Sequence, residues 1–519
     1  MSLIRGSSIQ LPIVTFFGAA YIFSGLWLSC PTLAWTLPQD FDYSNRMEVL
    51  LDKGELWNLN SIFHPFDISI QDSNSIHLVR QDGFRWVREY LGDYSDLGFR
   101  LEENSSNKIN VLFMPGMGAS AQGGVARRYD KLALQPFVWS EARFRHNWYA
   151  RVYVRATNDS ASLSHYSGIP RSISRAGMNT GEIDQSVIGY RNRWVRVEYG
   201  RNREIWGPMV EENLILSGNA PSWEQLMIQL NYHCVAYRWF YGFLEMVQGS
   251  ENIQRYMVGR ALEYRNRKNL VLGLGEVSIL AGPNRPIDFS YINPLTFHLE
   301  VEQNKRTNLK GNYENAIWFL HFDCLVFQSL RLSGSVIMDE FQLDQQDRKE
   351  GRPDALGWLG RVAWTPVTDN IGVTFYSYFL RIDTYTMQHS RDYLNFVTRN
   401  QLLGHPLGND ADQIAAGMRI TTAYLPGLLE LEYDRIRWGD NSLRYDPYRS
   451  FEEFRKVPFP SGKVRTNHYL SVRFNSQPLK RLSVNIEGHI DLHHSGENSS
   501  LEVWIFNVRY QLPFLLIGI

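Results

Sequence analysis

The chain reads as an all-β protein: a transmembrane antiparallel β-barrel of about eighteen strands, preceded by a small N-terminal periplasmic helical domain. Three observations predict this class. A secretory leader is followed by no second apolar run long enough for a spanning helix. From about residue 108 onward, apolar and charged residues alternate with period two. The links between these alternating runs are themselves alternately short and long.

The first ten residues, MSLIRGSSIQ, carry one positive side chain and are followed by 19 uncharged residues, LPIVTFFGAAYIFSGLWLS. In CPTLAW, Thr32 and Ala34 have the small-x-small spacing of a cleavage site, so residues 1–34 are read as a signal peptide. An uncleaved anchor is the alternative that the long apolar core leaves open. A lipoprotein reading through Cys30 is weaker, because bulky Trp27 and Leu28 precede Ser29. An exported chain without a second apolar helix either stays in solution or crosses a membrane as a closed barrel, the one sheet arrangement that leaves no unpaired edge in lipid. The 53 basic and 54 acidic residues nearly cancel, so nothing in the charge balance points to nucleic acid. Aromatic residues are abundant (27 Tyr, 28 Phe, 15 Trp), which suits sheet faces and membrane interfaces. Once the leader is removed only Cys234 and Cys324 remain, too few for a disulfide framework.

Residues 35–107 have a different texture. SNRMEVLLDKGELW (44–57) and HLVRQDGFRWVREYLGDY (77–94) space their apolar residues as helices do, and a loop-like stretch around Pro65 separates them. This segment is expected to be the periplasmic helical domain.

Residues 108–519 are expected to form the barrel. In NWYARVYVRA, Ala150, Val152 and Val154 oppose Tyr149, Arg151, Tyr153 and Arg155. In RLSVNIEGHIDLHH, Leu482, Val484, Ile486 and Ile490 oppose Asn485, Glu487, His489 and Asp491. In LEVWIFNVRYQLPF, Trp504, Phe506, Val508 and Tyr510 oppose Asn507, Arg509 and Gln511. Successive side chains of a strand point to opposite faces, so one face meets lipid and the other a hydrophilic bore. Short links (FQSLR, TPVTDN, YLPGL, NSQPLKR) alternate with long ones (343–355, 384–411, 440–463), as periplasmic turns alternate with outer loops. A soluble multi-sheet protein with one wet face per sheet is the competing reading, and it has no reason to sort its loops this way. The pattern leaves strand direction across 186–280 open. The expected location is the outer membrane of a Gram-negative-type bacterium, with outer-membrane lipid as one partner. Five residues, LLIGI, follow Phe514, so the terminal aromatic assembly signal would be internal at Tyr510, Leu512 and Phe514.

Several constellations are candidates for function. Arg201, Arg203, Glu204, Trp206, Glu211 and Glu212 lie close together in sequence. A tryptophan can stack on a sugar ring and arginine can grip a uronate. The same residues also fit a folded-in segment whose Gly207-Pro208 turn and ion pairs brace a wide barrel. Glu300, Glu302, Asp339 and Glu340 would add acid to the lumen, although Asp339 and Glu340 can both face inward only at a strand end or bulge. Glu430, Glu432 and Asp434 share one parity and suit a wet wall. His233, Cys234, His321 and Cys324 invite a zinc site, but strand parity puts both cysteines toward lipid and both histidines inward, so no metal or other cofactor is expected. His489, Asp491 and His493 share a face, but no serine in a nucleophile-elbow context accompanies them, and the chain is not read as an enzyme. HPLGND (405–410) is explained by turn formation.

The run VEYGRNREIWGPMVEENLILSGNAPSW (197–223) resembles the capsule assembly Wzi family of outer-membrane proteins, with its Gly-Arg, Trp-Gly-Pro and Leu-x-Leu-Ser-x-Asn-Ala elements. NPLTFHLEVEQN (293–304), MDEFQLD (338–344), LLGHPLGND (402–410) and the N-terminal LLDKGELW…HP are similar to segments of the same family, in the same order. The resemblance implies an eighteen-stranded barrel with a small periplasmic helical part. It also implies a lectin-like role in attaching capsular or extracellular polysaccharide at the cell surface. Asn219 joins the candidate residues, and periplasmic export machinery is a further candidate partner. An outer-membrane porin or solute channel is the alternative function.

Overall fold

The computed structural model describes residues 48–54, 61–63 and 109–518, apart from 125–131, 145–146, 161–164, 167–170, 172, 193, 210–212, 248–251, 305–313, 328, 341–353, 367–370, 423–426, 444–457, 480, 493–501 and 513–514. Among these, nineteen antiparallel segments form a single closed sheet. The last, Leu515–Gly518, pairs with residues 110–113 of the first strand, Ile109–Gly124, while Glu502–Gln511 pairs higher on that same strand. These two segments are therefore one interrupted stave, and eighteen staves surround the bore. Leu515–Gly518 adds a short pairing segment beyond the aromatic terminal strand.

Each stave pairs with its neighbours in sequence, and the seam closes through Gly116↔Gln511 and Gly124↔Val503. The short links, for example residues 233–234 and 266–269, fall at one end, together with Ile109 and Gly518. We call this the lower end. The long links, including 203–222, 284–313, 383–410 and 439–464, fall at the upper end. Strand direction across 186–280 follows: Val195–Asn202, Val235–Phe243 and Leu270–Pro283 run upward, and Trp223–Tyr232 and Ile253–Arg265 descend.

The two faces are sorted as the alternation predicts. Val152, Val154, Leu272, Leu274, Leu320, Phe322, Val362, Trp364, Phe506 and Val508 are exposed on the outer face. Ile486 pairs with Phe506 and Val484 with Val508, so these too point outward. Arg151, Arg155, Arg331, Arg361, Glu430 and Asn485 are buried on the inner face. One expectation about faces fails. His233 and Cys234 are not strand residues but the two-residue turn between Trp223–Tyr232 and Val235–Phe243, with His233 at φ 49. Cys324 keeps the outward parity of Leu320 and Phe322, and His321 is buried on the inward side.

One side of the bore is filled with apolar side chains. The upper links 203–222 and 383–410 fold inward and pack Trp206, Leu214, Leu216, Met387, Phe396 and Leu403 against the inward residues Phe240, Met257, Ile317, Phe319 and Leu380. Each link carries its own two-residue hairpin, Ile205–Trp206 with Leu216–Ser217 and Val397–Thr398 with Gln401–Leu402. From residues 35–107, the helix at 48–52 and residues 61–63 are described, and both meet the inner wall near its lower end. The rest of that expected domain, including 77–94, lies outside the described residues.

Candidate functional site

The folded-in link 203–222 is organised around Glu204, which is fully buried. Arg238 of the wall grips it with two nitrogens at 2.7 and 2.8 Å, Gln225 donates to it at 2.8 Å, and Trp206 Nε1 donates at 2.7 Å. A carboxylate taken out of water needs this set of charged and neutral donors, and one left unpaired would be costly. The Trp206 ring meets Phe63, Phe240 and Phe319 edge-on at 5.3–5.8 Å. Trp206 has no exposed surface and therefore offers no ring face to a sugar. The next residue must be glycine: Gly207 has φ 151, and a Cβ there would lie 1.9 Å from Asn213 Oδ1. Its N–H donates to Ile62 O at 3.0 Å, and Pro208 O accepts from Arg331 at 2.8 Å. The Trp-Gly-Pro run thus joins the upper link, the wall and the N-terminal segment, which is the bracing arrangement.

The remaining candidates separate. Arg203 lies 3.5 Å from Asp184, which also pairs with Arg155 at 3.1 Å. Asn219 donates to Leu402 O at 3.3 Å, while its backbone carbonyl accepts from His165 Nδ1 at 2.9 Å, so it ties three upper segments together. Arg201 sits on the outward register row, paired across the sheet with Glu224. Glu211 and Glu212 lie outside the described residues. Glu300 and Glu302 are not in the lumen: they belong to a short helix, His298–Gln303, whose backbone packs against outward-facing wall residues. The reading of that stretch as wall misses a helical turn. Asp339 faces inward and accepts from Met387 N at 2.6 Å, and the register shifts between Met338 and Glu340, the irregularity required there.

A second constellation is a charged belt around the lower inner wall. Asp323, Arg331, Arg361, Arg419, Glu430, Arg473 and Glu487 form a chain of contacts of 2.7–3.6 Å, in which Glu48 and Asp52 of the N-terminal helix link the three arginines Arg331, Arg361 and Arg419. Arg361 holds Asp52 with two nitrogens, each at 2.8 Å. Burial opposes ionisation of Asp52, but Arg361, Arg331 and Arg419 outweigh it and hold its carboxyl at about 2. Nearby, Glu263 accepts from Ser61 Oγ and from Ile62 N, both at 2.7 Å. The N-terminal segment is therefore docked across the lower bore by charge at one side and by backbone capture at the other. The sequence signal was present: Glu48 and Asp52 are four apart on one face of MEVLLD.

Beyond this belt the wall from Arg465–Leu479 round to Trp148–Thr157 is lined with polar groups. Asn475, Asn485 and Asn507 form a ladder with bonds of 2.7 and 2.9 Å. Arg473, Glu487 and His489 keep partial exposure, and Arg509 stacks 4.0 Å from the centre of the Phe137 ring. Tyr376 Oη lies 2.6 Å from both Glu430 and Glu432 and can donate its one proton to either, so these carboxylates do line the inner wall. Ser471 Oγ lies 2.8 Å from His489 Nδ1, whose other nitrogen is 2.9 Å from Glu487. This serine is buried in mid-strand, paired with Glu432 and His489 across the sheet, without the sharp turn that exposes a nucleophile beside free backbone donors.

A family described as capsule assembly protein Wzi matches residues 119–492. No curated protein matches the chain. Among solved structures, an Escherichia coli outer-membrane protein, Wzi, described as a carbohydrate-binding β-barrel involved in group 1 capsule assembly, is similar over 92% of this chain and 99% of that one, at 12% identity and a TM-score of 0.59. Pseudomonas aeruginosa OprD follows at 11% identity and a TM-score of 0.42, over 79% of this chain and 95% of that one. Acinetobacter baumannii OccAB4 is 7% identical with a TM-score of 0.44, over 79% of this chain and 99% of that one.

Proposed function

This chain belongs to the Wzi capsule assembly family and is an outer-membrane β-barrel, and from that premise we propose that it binds capsular or extracellular polysaccharide and helps attach it at the cell surface. The observation that carries the reading is the division of the bore. One half is filled by the inward-folded upper links. The other presents Arg473, Arg509, Glu487, His489 and the amide of Asn507 with partial exposure. Amides and carboxylates suit sugar hydroxyls, and fixed arginines suit uronates. A channel needs a continuous aqueous path, whereas here two upper links and the N-terminal segment converge inside the barrel. Docking of 48–54 at the lower end supports reading residues 35–107 as the periplasmic part. Deleting the gene while following polysaccharide retention tests the reading. Release of capsule or exopolysaccharide into the medium is expected; full retention by the deletion strain, combined with steady open currents from the purified protein in bilayers, would favour the channel.

A further inference from the structure

The upper link 284–313 departs from the others. Instead of entering the bore, its described part, 284–304, folds over the outside of the wall. The residues it covers have outward parity: Tyr237, Trp239, Tyr241, Val258 and Leu280 cluster with Tyr291 and Val301 of the link. Tyr237 lies one position up its strand's outward row from exposed Val235, and its hydroxyl donates to Pro294 O. The link thus descends from Pro283 at the upper rim to the level of Tyr237 and then climbs back.

Beneath it lies a charged patch on what would be the lipid side. Arg260 and Glu276 are direct cross-strand partners, bonded at 2.8 Å. Arg260 also donates to Tyr291 O at 3.0 Å, His298 N donates to Glu276 at 2.9 Å, and Trp318 Nε1 donates to Glu276 at 3.2 Å. Higher up, Arg285 pairs with Glu314 at 2.6 Å, and Tyr291 donates to Glu314 at 2.9 Å. Arg260 stands five positions above the lower end of Ile253–Arg265, which for a tilted strand is about 12 Å into an apolar band of about 25 Å. A naked ion pair at that depth is strongly disfavoured. Here it is buried because the link covers it.

The outer surface of the link completes the argument. Phe289 is 80% exposed, Leu295 75% and Phe297 57%, with Ile287 and Leu299 also exposed. They continue the exposed row of Leu262, Tyr264, Leu272 and Leu274 on the wall just below. Large apolar groups turned outward at this depth and contiguous with a lipid-facing wall match acyl chains. We propose that residues 284–304 form an intramembrane strap: its outer face contacts lipid acyl chains, and its inner face seals the Arg260–Glu276 and Arg285–Glu314 pairs against the outside of the barrel. The strap restores an apolar exterior where the wall itself is charged, and it leaves a buried polar cluster on the lipid side of the sheet.

The test uses spin labels on full-length protein in liposomes. Cys234 and Cys324 are replaced by Ser, and single cysteines are placed at Phe289, Leu295 or Phe297, with Leu274→Cys as the wall reference. Collision with oxygen well above collision with a nickel chelate, matching the Leu274 label, is expected at all three sites. Dominant nickel accessibility would put the strap in water, and protection from both reagents would put it against another protein; either overturns the proposal. A second measurement needs no substitution. Wild-type protein is reconstituted with a phospholipid carrying a photoactivatable acyl chain, and the adducts are mapped. Adducts within 287–299 as well as on the 262–274 wall are expected; adducts on the wall alone overturn the proposal.

Discussion

Replacing Asp52 by Asn should release the N-terminal segment from the barrel. Asp52 has no exposed surface, and its two oxygens take both terminal nitrogens of Arg361 at 2.8 Å and Arg331 Nη1 at 3.0 Å, with Arg419 at 3.6 Å. Breaking a buried ion pair from one side costs about 3–5 kcal/mol, because the partner charge stays buried. Glu48 remains 2.7 Å from Arg331 and 3.3 Å from Arg361, and Asp323 still holds Arg331, so the lower figure of about 3 kcal/mol applies. That energy corresponds to roughly a 150-fold fall in the docked-to-undocked ratio. The assay is hydrogen exchange of peptides covering 48–54 in detergent. Protection in the variant should drop by about two orders of magnitude while the wall strands keep theirs. Equal protection of 48–54 in the two proteins would refute the charge-anchored docking.

Other outcomes follow from the same contacts. Asp52 has a folded value of about 2, below about 4 for an unfolded aspartate. Its contribution is therefore complete above about pH 4 and is lost as pH falls toward 2, amounting to about 2 kcal/mol. Exchange of 48–54, corrected for intrinsic rate, should loosen across that window in wild type and show no such step in Asp52→Asn. Gly207→Ala combines a left-handed φ with a Cβ driven into Asn213, and should cost about 1–3 kcal/mol, read as a lower temperature for loss of the fast-migrating folded band on unboiled gels. Trp206→Ala removes a ring enclosed by Phe63, Phe240 and Phe319 and should cost about 3–5 kcal/mol on the same gels. Wild-type mobility in that variant would mean the aromatic hub is dispensable. Arg473→Ala combined with Glu487→Ala, both on the partly exposed half of the bore, should weaken polysaccharide binding with little change in gel mobility.

The barrel was legible because strand parity is a local property. Residues 481–494 alternate without exception between Leu482 and Asp491, and the structure sorts them accordingly, with Asn485 inward and Ile486 outward. Link lengths were equally direct evidence of which end is which. Parity failed where the chain was not a strand. His233 and Cys234 continue an alternating run on paper but form a turn, and Glu300 and Glu302 look like wall residues but sit on a short helix outside it. The candidate site was harder because its contacts span long sequence distances: Asp52 to Arg361 is 309 residues apart and Ser61 to Glu263 is 202. Glu48 and Asp52 on one helical face mark a binding surface but cannot name three arginines on three different strands. The Trp-Gly-Pro run identified the family, yet its tryptophan is consumed by packing. A motif of this kind reports what holds the fold as readily as what meets a ligand.

Titration of purified, folded barrel with the polysaccharide of its own host tests the central claim most directly. Saturable binding is predicted, weakened when Arg473 and Glu487 are both replaced and retained when Trp206 is replaced in protein that still shows the folded band. No binding by folded wild-type protein, or binding unaffected by the Arg473 and Glu487 substitutions but abolished by Trp206→Ala, would contradict it.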